Sequence, residues 1–280
     1  MRTARSILMG ILAAALLGRA GDDVQQRLAG RAFGDTPLMQ DVHELCDGIG
    51  GRPTGSPACE RAIAWAAAKF RAAGVDSVTL ESFPVPKSWV PEAAEGECVA
   101  PERFALRIAA APNSGSTNGT VEARVVDAGE GTPEAFAKLG AAARGAIALV
   151  GSREMKTLDD LFAEYMKSGP MVEAARNAGV AALLLQSTRP HGLLYRHPLA
   201  NANAAITVPA AMISREQAGR LGRLAAHGEV RVRLRLANKT GGRVRIAQRG
   251  GGDPRAGAAG RDRAAGRPPG FVGFRDRRGG

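Results

Sequence analysis

The apolar and polar positions along this chain alternate with two different periods, and the switches between them mark its elements. In the stretch Gly48 to Gly74, GIGGRPTGSPACERAIAWAAAKFRAAG, the residues Ile63, Ala66, Ala67, Phe70 and Ala73 recur at helical spacing, while Arg61, Lys69 and Arg71 fall elsewhere on the wheel. Ser56 can accept from the free N–H groups of a first turn, and Pro57 follows where a missing N–H costs nothing. Gly74 is a left-handed stop. The pattern predicts an amphipathic helix with one face in a core, led by a helix over Thr36 to Cys46 and followed by a strand over Val78–Phe83.

Downstream, Phe83 to Ser116 is rich in proline and small residues and reads as a connector with short strands, Cys98 within it. Gly119 to Val126 alternates like a strand, Thr132-Pro133 caps a short helix, and Gly145 to Val150 is a buried strand. A helical region over Leu158 to Ala178 is expected to break at Gly169-Pro170. Buried strands follow at Val180–Leu185 and Ile206–Ile213, the second with Pro209 at an edge or bulge. Ser214 and Gln217 spell a capping box that opens a helix to about Ala226. In Glu229–Leu236, Val230, Val232, Leu234 and Leu236 alternate with Arg231, Arg233 and Arg235, one dry face and one wet. Strands alternating with helices place the chain in the α/β class.

Composition changes this picture only at the ends. The net charge is +11, but residues 241–280 carry a net +7 and Arg2, Arg5 and Arg19 three more, so residues 20–240 are nearly neutral. Nucleic acid is therefore not the expected partner of the folded body. Arg2 and Arg5 precede the apolar run Ile7–Leu17 and the small residues around Arg19, the form of an export signal over residues 1–20, too short to span a bilayer. The expected location is outside the cytoplasm, with no membrane span once the signal is removed. Cys46, Cys59 and Cys98 allow one internal bridge at most, and buried free thiols are at least as good a reading. Gly-x-Ser-x-Gly, Cys-x-x-Cys, His-Glu-x-x-His and phosphate-loop motifs are missing from the sequence, and no residue is assigned to catalysis or to a metal.

Two runs of elements carry a family resemblance. The leading helix, the loop GIGGRPTGSP, the Ala-rich helix with Trp65 and the strand after it resemble the start of the catalytic domain in secreted zinc exopeptidases of the aminopeptidase and glutamate carboxypeptidase type, especially carboxypeptidase Q-like members. The pieces GAIALVGS, EAARNAGVAALLLQS and ITVPAAMISREQAGRL, in that order, resemble the protease-associated domain inserted in such enzymes. The likeness runs from about Leu38 to Lys239. It implies an α/β architecture: an N-terminal fragment of a zinc-peptidase domain over residues 21–116, a protease-associated α/β domain over 117–240, and a disordered basic tail over 241–280. It also implies peptide substrates and two zinc ions in the parent family, with a homodimer left open. His191 and His197 lie in one loop of the module. They could touch substrate as part of a lid or bind metal, but without a carboxylate or cysteine beside them the stronger reading is that they are plain loop histidines.

Beyond Thr240 the text changes. Residues 241–280 hold ten Arg and three Asp but no Leu, Lys, Glu, Ser or Thr, and no periodicity survives. The family resemblance implies a return to the catalytic sheet here and a zinc motif of the form His-x-Asp-Ser-Trp-Asp. Reading each codon's last two bases with the first base of the next, third bases free, Ile246 to Arg255 permits Ser-His-Asn-Val-Val-Ala-Glu-Ile-Arg-Gly. Arg261 to Gly280 likewise permits Val-Ile-Val-Leu-Leu-Gly-Gly-His-Leu-Asp-Ser-Trp-Asp-Ser-Gly-Thr-Gly-Ala-Glu-Asp. In that register the first histidine ligand overlies Pro268 and the bridging aspartate overlies Gly280, so this chain offers no ligand at either place. The expectation is a truncated N-terminal portion of an exported zinc exopeptidase, its frame changed between Thr240 and Ile246 and itself without metal. The competing reading is a non-catalytic protease-associated binding module with a basic tail.

Overall fold

The computed structural model describes residues 23–75, 77–196 and 207–250, with backbone alone for 244–250. The chain divides into two units, Met1–Arg52 and Pro53–Gly280.

In the first unit, residues 23–33 form helix α1 and Leu38–His43 form α2, which continues as a π-helical turn over Glu44–Ile49. The leading helix thus runs past Cys46, where the sequence suggested its end. Gly50, at φ 77°, turns the chain out. The Arg52 guanidinium donates to the carbonyls of Leu45 at 3.2 Å and Gly50 at 2.9 Å and so braces the turn that ends the helix.

The second unit opens with α3, Pro57–Ala72, built as its sequence dictates: Ser56 Oγ accepts from the Cys59 N–H at 3.1 Å, Pro57 stands in the first turn, and Gly74 is left-handed at φ 77°. Its apolar side is less covered than expected. Ala67 is buried, Ile63 and Ala66 are half-buried, and Phe70 is 43% exposed. Strand β1, Thr79–Val85, explains why: it pairs antiparallel with β10, Val244–Gly250, in a sheet of two strands, and α3 lies along β10. Two strands are too narrow to bury the face of a four-turn helix. β10 also carries ordered structure ten residues past the expected boundary at 240. Strand pairing needs only backbone groups, so a segment with no side-chain periodicity can still form one.

The remaining strands make one eight-stranded sheet in the order β3-β2-β9-β5-β6-β7-β8-β4. Here β2 is Ser88–Ala100, β3 Phe104–Ala105, β4 Ile108–Ala110, β5 Val121–Asp127, β6 Ile147–Val150, β7 Ala182–Gln186, β8 Ala210–Ile213 and β9 Arg231–Gly241. The expected connector is therefore wrong over β2, a strand paired along β9 with its proline at a bulge between Pro91 and Ala93, where the missing N–H breaks no ladder. Cys98 lies in β2 with no exposed surface, and burial pushes its thiol pKa up.

Strands β5 to β8 run parallel. Helices α4, Pro133–Leu139, and α5, Leu158–Ala178, make the crossovers, and α6, Arg215–Ala225, follows β8. Alternate residues of these strands point to two cores. Phe136, Met171 and Ala175 pack on Ala148, Val150, Leu183 and Leu185, while Ala218 and Leu221 pack on Ile147, Leu149, Leu184 and Ile213. Both faces being covered accounts for strands that are apolar throughout.

Two helix expectations need correction. Helix α5 passes through Pro170 unbroken. Ser168 Oγ donates to the Tyr165 carbonyl at 2.6 Å, and Met171 and Ala175 hold the far turns to the sheet. The box at α6 is half formed: Ser214 Oγ accepts from the Gln217 N–H at 3.3 Å, but the Gln217 side chain bonds Arg107 N–H and the Ala105 carbonyl instead. A full capping box stands at α5, where Thr157 and Asp160 satisfy each other's backbone. On the outer face of β9 the arginine row is matched by acids on its neighbours, with Arg233 bonding Glu122 at 2.9 Å and Arg235 bonding Glu95 at 2.9 Å.

Candidate functional site

Ligand sites in open parallel sheets gather beyond the carboxyl ends of the strands, so the loops after β5, β6, β7 and β8 are the place to look. Carbonyls at the ends of β6 and β7, and in the loops that follow them, are met by three arginines. Arg196 Nη1 lies 3.4 Å from the Val150 carbonyl and 3.3 Å from that of Gln186, the last residues of β6 and β7. Arg215 Nη1 donates to the Ser152 carbonyl at 2.9 Å and the Ser187 carbonyl at 3.2 Å, and Arg189 Nη1 to that of Met155 at 2.7 Å. Ser152 Oγ donates to the Gln186 carbonyl at 3.0 Å.

Arg196 is the group that the sequence could not reveal. Its side chain is 4% exposed and its Nε donates to Glu164 Oε1 at 2.6 Å. Burial draws its pKa below the ordinary arginine value and the Glu164 carboxylate works against that shift, so the charge is kept by pairing. A basic residue in a polar loop reads as surface, and its acid partner lies in a different element.

Between α5 and the loops after β5 and β6 is a pocket of about 80 Å³ lined by Gly151, Ser152, Met155, Glu164 and Lys167. Glu130 closes its rim, bonded to Lys167 Nζ at 2.7 Å and Arg153 Nε at 3.1 Å, and these hydrogen bonds hold its carboxyl below the usual range. Small-molecule sites run to about 300–1,000 Å³, so this pocket has room for a few waters and not for a peptide end.

His191 stands at the turn of the loop after β7 with φ 62°, exposed. Its backbone is what the fold engages: the N–H groups of His191 and Gly192 donate to Glu216 at 2.7 and 3.2 Å, and Arg107 Nε donates to the Gly192 carbonyl at 2.8 Å. Glu216, in the first turn of α6, is held below the ordinary carboxylate range by its own backbone N–H first and then by those two. His197 lies outside the described residues. Among the described residues no three His, Cys, Asp or Glu side chains gather as a group able to hold a metal ion, and the donor set does not fit a two-zinc centre. The three cysteines are free. No described helix is long and apolar enough to cross a membrane, and the apolar run Ile7–Leu17 lies outside the described residues.

Comparison with known proteins agrees with this geometry. Residues 108–221 match the family described as PA domain, the module spanning β4 to α6. In fold, the chain is similar to a peptidase M28 precursor from Shewanella amazonensis, with a TM-score of 0.63 and 23% identity over 81% of this chain and 52% of that one. It is also similar to a zinc aminopeptidase from Bacillus subtilis, with a TM-score of 0.51 and 21% identity over 73% of this chain and 44% of the other. The chain thus spans about half the length of the solved structures it matches. No curated protein matches it in sequence. The chain carries a PA domain on a partial-length fold of the M28 peptidase type.

Proposed function

We propose that this chain is the N-terminal, PA-domain-bearing portion of an exported zinc-dependent exopeptidase acting on peptide ends, and that it is itself without the metal site. The observation that carries the reading is the PA match over residues 108–221 within a fold shared with the Shewanella M28 peptidase. The incomplete cover of α3 supports it: Phe70, Leu80 and Phe83 are exposed beside a two-stranded sheet, the condition of a catalytic-domain edge whose further strands are wanting. The tail supports it in another way, since its shifted reading over Arg261 to Gly280 permits a zinc motif of the expected form. Peptide substrates and zinc belong to that longer protein. His191, exposed at a loop turn, and His197 are the residues of this module proposed to touch substrate.

The test compares two polypeptides: the chain as it stands, and one with the frame restored between Thr240 and Ile246 and continued to its next stop. The restored protein should bind zinc and release terminal residues from unblocked peptides, and the present chain should do neither. Stoichiometric zinc on the present chain, or a restored frame that closes at once on stop codons, would overturn the proposal.

A further inference from the structure

One dipeptide joins an amide side chain to a backbone nitrogen that nothing shields. Asn118-Gly119 is the single Asn-Gly step in the sequence, and it stands in the bend that leads into β5. Asn118, Gly119 and Thr120 are all exposed. Among the described residues, neither the Asn118 side chain nor the Gly119 N–H has a hydrogen-bond partner. Gly119 is left-handed at φ 68°, and a Cβ placed on it would meet no atom within 4 Å. The bend is nevertheless held at one end. Thr117 Oγ1 accepts from the Leu236 N–H at 2.9 Å and donates to the Gly119 carbonyl at 2.6 Å, so the step is presented to solvent from a base fixed on β9.

The other described asparagines lack one part or another of this arrangement. Asn113 is half-buried and precedes Ser114, which is buried. Asn177 lies inside α5, where the next N–H belongs to the helix ladder. The Asn238 amide is engaged, its Nδ2 donating to the carbonyls of Gly115 at 2.9 Å and Ser114 at 3.2 Å. None of the three is followed by glycine, so a Cβ crowds the nitrogen that would have to reach the side chain.

We infer that Asn118 is a site of spontaneous backbone modification, converting to a mixture of aspartate and isoaspartate through a cyclic imide. The Gly119 nitrogen bonds to Asn118 Cγ, the Cγ–Nδ2 bond breaks, and ammonia leaves with the proton that the Gly119 nitrogen carried. Water then opens the ring. Addition at Cγ restores the ordinary backbone and leaves aspartate, whereas addition at the main-chain carbonyl routes the backbone through the side chain and leaves isoaspartate. The chemistry is the chain's own and needs only solvent. Both products place a new negative charge at the entrance to β5, and isoaspartate also lengthens the main chain between Thr117 and that strand.

The experiment incubates the full chain just above neutral pH, folded in buffer or unfolded in urea, and then cleaves it after Lys and Arg. One peptide, residues 108–124, carries both Asn113 and Asn118. Electron-transfer fragmentation locates each lost amide and distinguishes aspartate from isoaspartate. In the folded chain Asn118 should convert at close to its unfolded rate, faster as the pH is raised because the attacking nitrogen must lose its proton, while Asn113 keeps its amide. Gly119→Ala should slow the conversion about tenfold or more. An Asn118 amide that persists in the folded chain but is lost in urea would overturn the inference, because the bend would then hold nitrogen and side chain apart. So would equal loss at Asn113 and Asn118, or conversion to aspartate alone, the mark of direct hydrolysis without a ring. Where Gly119→Ala fails to fold, the folded and unfolded forms of the unsubstituted chain decide.

Discussion

The parallel sheet of β5 to β8 and the α3–β1 region both carry large apolar side chains and end with opposite degrees of cover. In the first, Ile147, Leu183, Leu184 and Leu185 have no exposed surface because helices lie on both faces. In the second, Phe70, Leu80 and Phe83 remain 43%, 45% and 39% exposed although α3 has a proper cap and stop. Local signals make a helix; the width of the surface it meets decides whether that helix is worth much to stability. Truncation of core side chains tests this most strongly. Leu184→Ala should cost about 3 kcal/mol, from lost transfer free energy plus an uncollapsed cavity, whereas Phe70→Ala should cost well under about 1 kcal/mol. Urea denaturation of the two variants measures the contrast, and equal losses would mean that α3 shares the main core.

Next in size is the buried ion pair. Glu164→Gln leaves Arg196 charged, 4% exposed and without its counter-ion, and should destabilise by about 3 kcal/mol. Replacing both partners, as Glu164→Leu with Arg196→Met, should recover most of that loss, because no uncompensated charge is then left buried. A double variant no better than Glu164→Gln would show that the Arg196 bonds to the carbonyls of Val150 and Gln186 matter more than its charge balance.

Helix caps sharpen the comparison at about 1 kcal/mol each. Thr157→Ala removes the box at the start of α5, which is fastened to the sheet through Met171 and Ala175, and should lower the global unfolding midpoint. Ser56→Ala removes the same kind of bond from α3. Its expected effect is local: faster hydrogen exchange along α3 with little change in the midpoint, because α3 contributes little to the cooperative core.

These contrasts also indicate what could be read from the sequence. Ser56, Gly74, Thr132 and the runs GAIALV and AALLLQ are local signals, and each stands where it was expected. Strand β2 was hidden because its proline and small residues resemble a loop until β9 lies beside it and a bulge absorbs Pro91. Pro170 reads as a breaker, yet Ser168 and the packing of Met171 carry the helix through. The strand-end arrangement of Arg189, Arg196 and Arg215 was illegible for another reason: its acceptors are backbone carbonyls that only the folded sheet brings together. For the loop that holds His191, nothing in the sequence hinted that Glu216 would hold its backbone.

The smallest effect concerns that tether. Glu216 accepts two backbone N–H groups from the loop and its carboxyl sits below the ordinary range, so the ionised form is the one that holds the loop. A group whose folded pKa is depressed stabilises above its unfolded value and loses that contribution as pH falls through the folded one. The loop should therefore stay pinned at neutral pH and loosen only under acid conditions below the usual carboxylate range. Glu216→Gln can still accept one of the two bonds. It should raise the exchange rates of the His191 and Gly192 amides at neutral pH while leaving the unfolding midpoint almost unchanged, since the carboxylate is exposed and solvent-screened. Amide exchange that did not respond to this substitution would place the restraint on the other side of the turn, in the bond from Arg107 to the Gly192 carbonyl.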